Sequence, residues 1–178
     1  MVSDECYLEL GWDVEPQSVL SISGDGHHGV LSVQSLSKRS NLAGYRSGAV
    51  LGDADLVAAI VGMRKHAGLL MPTPVQHASI AALDDVSHVS EQKERYRARR
   101  VVLRAALESA GFDISHSHAG LYLWATRGQE CMATIEWLSK RGIVCAPGDF
   151  YGPAGSHHVR IALTVSDDQA VQVADRLA

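Results

Sequence analysis

Between Ala119 and Leu177 short β-prone runs alternate with helical ones, and that alternation restricts the chain to a layered α/β fold. Ala119–Ala125 and Val159–Leu163 read as strands, and 143–146 as a shorter one. Gln129–Lys140 reads as a helix stopped at Arg141-Gly142, and Gln169–Leu177 as a last helix capped by Ser166-Asp167-Asp168. The N-terminal half carries the same signals. Cys6–Leu10 is β-prone, 11–29 is turn-rich loop, and Val30–Gln34 and Gly48–Gly52 read as strands. Asp53-Ala54-Asp55 caps a helix running to His66. Met71-Pro72-Thr73-Pro74 breaks the chain, and a long helical tract follows from Val75 to about Ala110, interrupted near Asp84-Asp85 and stopped by Gly111.

Composition narrows the classes of function. A hydrophobic share of 46% allows a buried core, and the net charge of −4 without a basic block argues against nucleic acid or an anionic membrane as partner. No apolar run reaches the roughly 18 residues of a membrane span. The first residues, Met1–Glu5, have neither the basic nor the apolar segment of a signal peptide. Cys6, Cys131 and Cys145 are odd in number and far apart, which fits a reduced cytoplasm better than a disulfide framework. His116 and His118 fall on one strand face, but no third ligand follows at metal-site spacing, so no metal is expected. Gly24–Gly29 matches G-x-G-x-x-G but precedes a strand, so it reads as a loop. The charged run Glu91–Arg100, of mixed sign, reads as a solvated helix face.

The chemistry concentrates at Ser35–Gly48. Lys38 ends the apolar run from Val30; it is either a surface lysine or an amine that forms an imine with a carbonyl compound, with Arg39 and Arg46 as neighbouring cations. Ser35 and Ser37, two apart on an extended segment, share a face and can donate to one anion, or else bond the turn backbone. Arg46 offers a planar fork to two phosphate oxygens, with Gly44 and Gly48 leaving room for a ligand. A lysine imine beside a phosphate cradle is what pyridoxal phosphate requires. Asp4 and Tyr7 supply an acid for a ring nitrogen and a hydroxyl for the adjacent phenolate, provided the chain turns after Asp4. Arg160, inside an apolar strand, is either snorkelling at a strand end or waiting for a carboxylate.

Taken together, Ser35-Leu36-Ser37-Lys38, Arg46 eight residues on, Asp4-x-x-Tyr7, Gly120–Trp124, the Pro147–Gly152 turn and Val159–Ala162 resemble the class I/II, fold-type I aminotransferases. The resemblance implies an α/β fold: residues 1–74 as the C-terminal remnant of a large cofactor domain with a mixed sheet, and 75–178 as a small domain entered by a long helix. It implies that Lys38 carries the cofactor and shuttles a proton. Asp4 pairs with the pyridinium, Tyr7 bonds the phenolate oxygen, Ser35, Ser37 and Arg46 hold the phosphate, and Arg160 grips the substrate carboxylate. It implies a cytoplasmic homodimer acting on an amino acid and a 2-oxo acid such as 2-oxoglutarate. The wording of the Lys38 segment looks most like actinobacterial N-succinyldiaminopimelate aminotransferases of lysine biosynthesis. The same scaffold also serves other reactions, such as carbon-sulfur lyases. Family members are about twice as long, so the chain is expected to lack the N-terminal part of the cofactor domain and to have little activity alone.

Overall fold

A computed structural model describes residues 1–178. They form two compact units, Met1–Gly11 with Glu15–Glu91, and Trp12–Val14 with Gln92–Ala178.

The first unit is built on a three-stranded sheet in the order β1 (Val2–Asp4), β2 (Leu31–Ser35), β3 (Gly48–Gly52). β1 runs parallel to β2, with Asp4 opposite Val33, and β3 runs antiparallel, with Gly48 opposite Ser35. The C-terminal ends of β1 and β2 and the start of β3 therefore lie along one edge of the sheet. β1 stops where the Asp4 carboxylate accepts the Cys6 N–H at 3.1 Å, a local bond that competes with the ladder. Cys6–Leu10, expected to extend, instead turns, with Leu8 N–H donating to Glu5 O and Leu10 N–H to Tyr7 O. Beside it, Glu5 is buried. Its carboxylate accepts the Val19 N–H at 2.7 Å and the Ser32 hydroxyl at 2.7 Å, tying the long β1–β2 loop to the sheet.

β2 runs straight into α1 (Leu36–Arg39), and after β3 come α2 (Ala54–His66) and α3 (Thr73–Asp84). Asp53 caps α2, accepting the Asp55 and Leu56 N–H groups at 2.9 and 3.1 Å. α3 opens with Pro in its first turn, where the missing N–H is not needed. α4 (Ser87–Ser109) follows after a short break, as the interrupted tract implied. The units divide at Glu91/Gln92, whereas the sequence placed the boundary near 74/75. α3 stays with the first unit because Ser79 bonds Ser47 at 2.7 Å and Arg39 donates to Ala82 O at 2.9 Å.

The second unit carries an antiparallel sheet, β4 (Asp113–Ser115), β5 (Tyr122–Thr126), β7 (His158–Ala162) and β6 (Ala146–Pro147), in that order across the sheet. Alternation sorts its faces. Leu123, Ala125, Val159 and Ile161 are buried with Leu103 and Leu107 of α4 and Leu138 of α5 (Cys131–Ser139). Each fully buried leucine contributes roughly 1.5–3 kcal/mol. Tyr122, Trp124, His158 and Arg160 occupy the opposite face. Residues 143–145, expected as strand, are still leaving α5: Ile143 N–H returns to Leu138 O and Arg176 holds Gly142 O at 2.7 Å. α6 (Asp167–Leu177) starts in a capping box of Ser166 and Gln169. His116 and His118 do not share a strand face. They lie beyond β4, where His116 takes φ +50°, and His118 Nδ1 sits 3.6 Å from Asp13. No helix is long and apolar enough to cross a membrane.

Candidate functional site

The edge of the first sheet gathers six of the seven residues singled out above. Asp4 ends β1, and the turn after it carries Tyr7. Ser35 ends β2 and caps α1, accepting the Ser37 N–H at 3.1 Å. Lys38 sits inside α1, and Arg46 stands just before β3. Ser35 and Ser37 are not on one extended segment as expected. The helical turn begins between them because Ser35 is a good cap, and the turn itself sets their hydroxyls 2.9 Å apart. Ser35 donates to Ser37, so the pair retains the Ser37 O–H as an outward donor.

Lys38 lies in no salt bridge. Its charge is felt at Cys6: burial and then the adjacent Asp4 carboxylate raise the Cys6 thiol, while Lys38 pulls it down. Asp4, Cys6 and Lys38 thus form one electrostatic cluster at the sheet edge. Arg39 is turned away, bonded to Ser40 and Ala82 and 3.7 Å from Glu9, so it is not a cation beside Lys38 in the way the sequence suggested. Arg46 takes a left-handed φ of +53°, unusual for a side chain of its size, and donates one Nη1 N–H to Ala43 O at 3.0 Å. The residue is exposed. Gly48 makes no room for a ligand: a Cβ there would stand 2.6 Å from Gln34 O, so glycine serves the pairing with β2. A cavity of about 180 Å³ opens nearby, lined by Cys6, Ser35, Leu36, Ser47, Met71 and Leu83, but Asp4, Lys38 and Arg46 do not line it.

As a donor set this edge fits pyridoxal phosphate. It supplies one carboxylate for a ring nitrogen, one amine for a carbonyl carbon, and two hydroxyls with a guanidinium for a phosphate.

In the second unit Arg160 lies mid-strand in β7, opposite Trp124 on one side and Ala146 on the other. Its guanidinium carbon is 4.0 Å from the centre of the Tyr122 ring and 4.9 Å from that of Tyr151. Nε is buried without a hydrogen-bond partner, and no carboxylate of the chain lies within ion-pair distance. Of the two readings of Arg160, a mid-strand position with a buried Nε does not match snorkelling at a strand end. From sequence both tyrosines fell inside the Gly120–Trp124 and Pro147–Gly152 motifs, with no role assigned to either. Tyr122 was legible as an i−2 neighbour of Trp124 only once β5 is registered against β7, and nothing local marks Tyr151.

The chain matches known proteins along almost its whole length. The family model for aminotransferase class I and II matches residues 1–177. A protein of Mycobacterium tuberculosis named "Probable aminotransferase" is 56% identical over 179 residues, 99% of this chain and 43% of the relative. The 4-dedimethylamino-4-oxo-anhydrotetracycline transaminase OxyQ of Streptomyces rimosus is 52% identical over 179 residues, again 99% of this chain and 50% of the relative. A crystal structure of an aminotransferase from Neisseria meningitidis superposes with a TM-score of 0.90 at 35% identity, covering 99% of this chain and 48% of that one. The chain spans about half the length of the relatives it matches.

Proposed function

Because the chain belongs to the class I and II aminotransferase family, whose members depend on pyridoxal phosphate, we propose that its first unit holds that cofactor through Lys38 in a protein that moves an amino group between an amino acid and a 2-oxo acid. One observation carries the reading: the parallel β1–β2 register and the antiparallel return of β3 bring Asp4, Ser35, Ser37, Lys38 and Arg46 to one sheet edge. When bound, the cofactor supplies an electron-withdrawing ring. Asp4 keeps the ring nitrogen protonated, and Tyr7 donates to the phenolate oxygen. Ser35, Ser37 and Arg46 neutralise and orient the phosphate. Lys38 would anchor the cofactor covalently and would serve as the base that moves a proton at the substrate α-carbon. Arg160 receives the substrate carboxylate. In this reading the first unit belongs to a large cofactor domain and the second unit to a small one, and the protein works as a homodimer.

For substrates we favour N-succinyldiaminopimelate as amino donor and 2-oxoglutarate as acceptor, which would place the protein in lysine biosynthesis. The wording of the Lys38 segment supports this. The Streptomyces rimosus relative is named for a 4-oxo tetracycline intermediate, a ketone that accepts an amino group, so an acceptor of that kind belongs in the test beside 2-oxoglutarate.

The test uses the purified chain incubated with pyridoxal phosphate, reduced with borohydride and digested for mass spectrometry. The expected result is an adduct on the Lys38 peptide, absent in Lys38→Ala; amino transfer from the favoured donor to 2-oxoglutarate by this chain would further overturn the expectation of little activity alone. Labelling spread evenly over other lysines, with none preferred at Lys38, would overturn the assignment.

A further inference from the structure

We propose that Tyr122 and Tyr151 are positioning residues that clamp the Arg160 guanidinium between two ring faces, so that its in-plane N–H groups are presented to a carboxylate; the inference rests on the reading of Arg160 given above. The two rings come from different elements. Tyr122 stands two residues before Trp124 on β5, on the same face as Arg160 and diagonal to it. Tyr151 ends the 3-10 turn Gly148–Tyr151, and its ring also meets Trp124 edge-on, 5.8 Å between centres at 78°. With 4.0 and 4.9 Å from the guanidinium carbon to the two ring centres, both lie within cation–π range.

The clamp answers an electrostatic problem. A guanidinium with a buried, unpartnered Nε and no carboxylate beside it gives up part of its hydration with no anion to offset the loss. Ring faces offer negative quadrupole to the cation, but they do not take up N–H groups that point away from them. Those donors remain directed at whatever planar anion enters, and a carboxylate matches them two at a time. Two rings packed against the guanidinium also restrict the rotational freedom that a lone arginine would lose on binding.

The placement of Tyr151 is itself built in. A Cβ on Gly148 would stand 2.2 Å from Gly155 O and 2.9 Å from the Trp124 ring, and a Cβ on Gly155 would stand 2.1 Å from Gly148 O. Two glycine backbones in contact therefore close the 148–155 segment and set Tyr151 against Arg160. Tyr151 is 52% exposed, so core burial does not account for where its ring lies.

The experiment follows the Arg160 Nε–Hε resonance of the full chain by ¹⁵N NMR during titration with 2-oxoglutarate, with the signal assigned by its loss in Arg160→Lys. Tyr151→Phe keeps the ring face and is expected to bind as the wild type does. Tyr151→Leu and Tyr122→Leu keep apolar volume but remove the ring, and each is expected to weaken binding about 5- to 30-fold with the backbone amide spectrum otherwise preserved. Leucine variants that bind like the wild type, or a Tyr151→Phe variant as weak as Tyr151→Leu, would overturn the clamp while leaving Arg160 as the carboxylate site. A wild-type Nε–Hε signal that does not respond to 2-oxoglutarate would instead overturn the reading of Arg160 itself.

Discussion

Replacing Glu5 by alanine should release the loop around Val19 from the sheet. The Glu5 carboxylate is 8% exposed and accepts two bonds of 2.7 Å, one from the Val19 N–H and one from the Ser32 hydroxyl. Hydrogen bonds to a charged group contribute roughly 1.5–3 kcal/mol each, so the two together amount to about 3–6 kcal/mol before the cost of holding the charge away from water. Burial alone would raise the Glu5 carboxyl, yet bonds from Ser18, Val19, Ser32 and Ser3 more than offset it and hold it below its ordinary 4.5. The ionised form is thus net favoured, and we expect Glu5→Ala to cost about 3 kcal/mol. Glu5→Gln keeps the shape and one acceptor and should cost nearer 1 kcal/mol.

The readout is hydrogen exchange at the Val19 amide, whose protection should fall about 100-fold in Glu5→Ala. The sign with pH follows from the lowered carboxyl. Its contribution is complete above the ordinary 4.5 and is lost as pH falls through the lower folded value. Wild-type protection at Val19 should therefore decline in acid below about pH 4.5, while Glu5→Gln shows no such limb. Protection in Glu5→Ala within threefold of the wild type, or identical acid limbs in the wild type and Glu5→Gln, would refute the reasoning.

Two further perturbations address the second unit, which holds all three tryptophans and so reports its own unfolding by fluorescence. Gly148→Ala places a Cβ 2.2 Å from Gly155 O and 2.5 Å from His158 O, both backbone atoms that cannot swing aside; urea unfolding should show a loss of about 2–3 kcal/mol or more. Asp13→Ala leaves the buried Arg100 with only Ser117 O as acceptor at 3.1 Å. Because Asp13 is itself partly exposed, the expected cost is about 1–3 kcal/mol, and Asp13→Ala with Arg100→Met should recover part of it in the same assay.

Local chemistry accounts for what was legible in the residues alone. Asp53 and Ser166 cap the helices they precede, the tract from 75 to 110 breaks near 84–85, and β2 and β3 flank the lysine segment, because caps, breakers and periodic apolar residues act over a few positions. Resemblance to the class I/II aminotransferases, rather than spacing alone, named Asp4, Tyr7, Ser35, Ser37, Lys38, Arg46 and Arg160 as candidate site residues. The same local rules misjudged Cys6–Leu10 and residues 143–145, where an Asp4 side-chain bond and the unwinding end of α5 outweigh β-propensity. Tertiary structure decided what depends on register and close approach. It set Asp4, Ser35, Lys38 and Arg46 on one sheet edge, turned Arg39 toward Ala82, and gave Gly48 to strand pairing. Through the contact of Gly148 with Gly155 it also brought Tyr151 to Arg160. Such pairings join residues far apart in the chain, and no window along the sequence contains the atoms that meet.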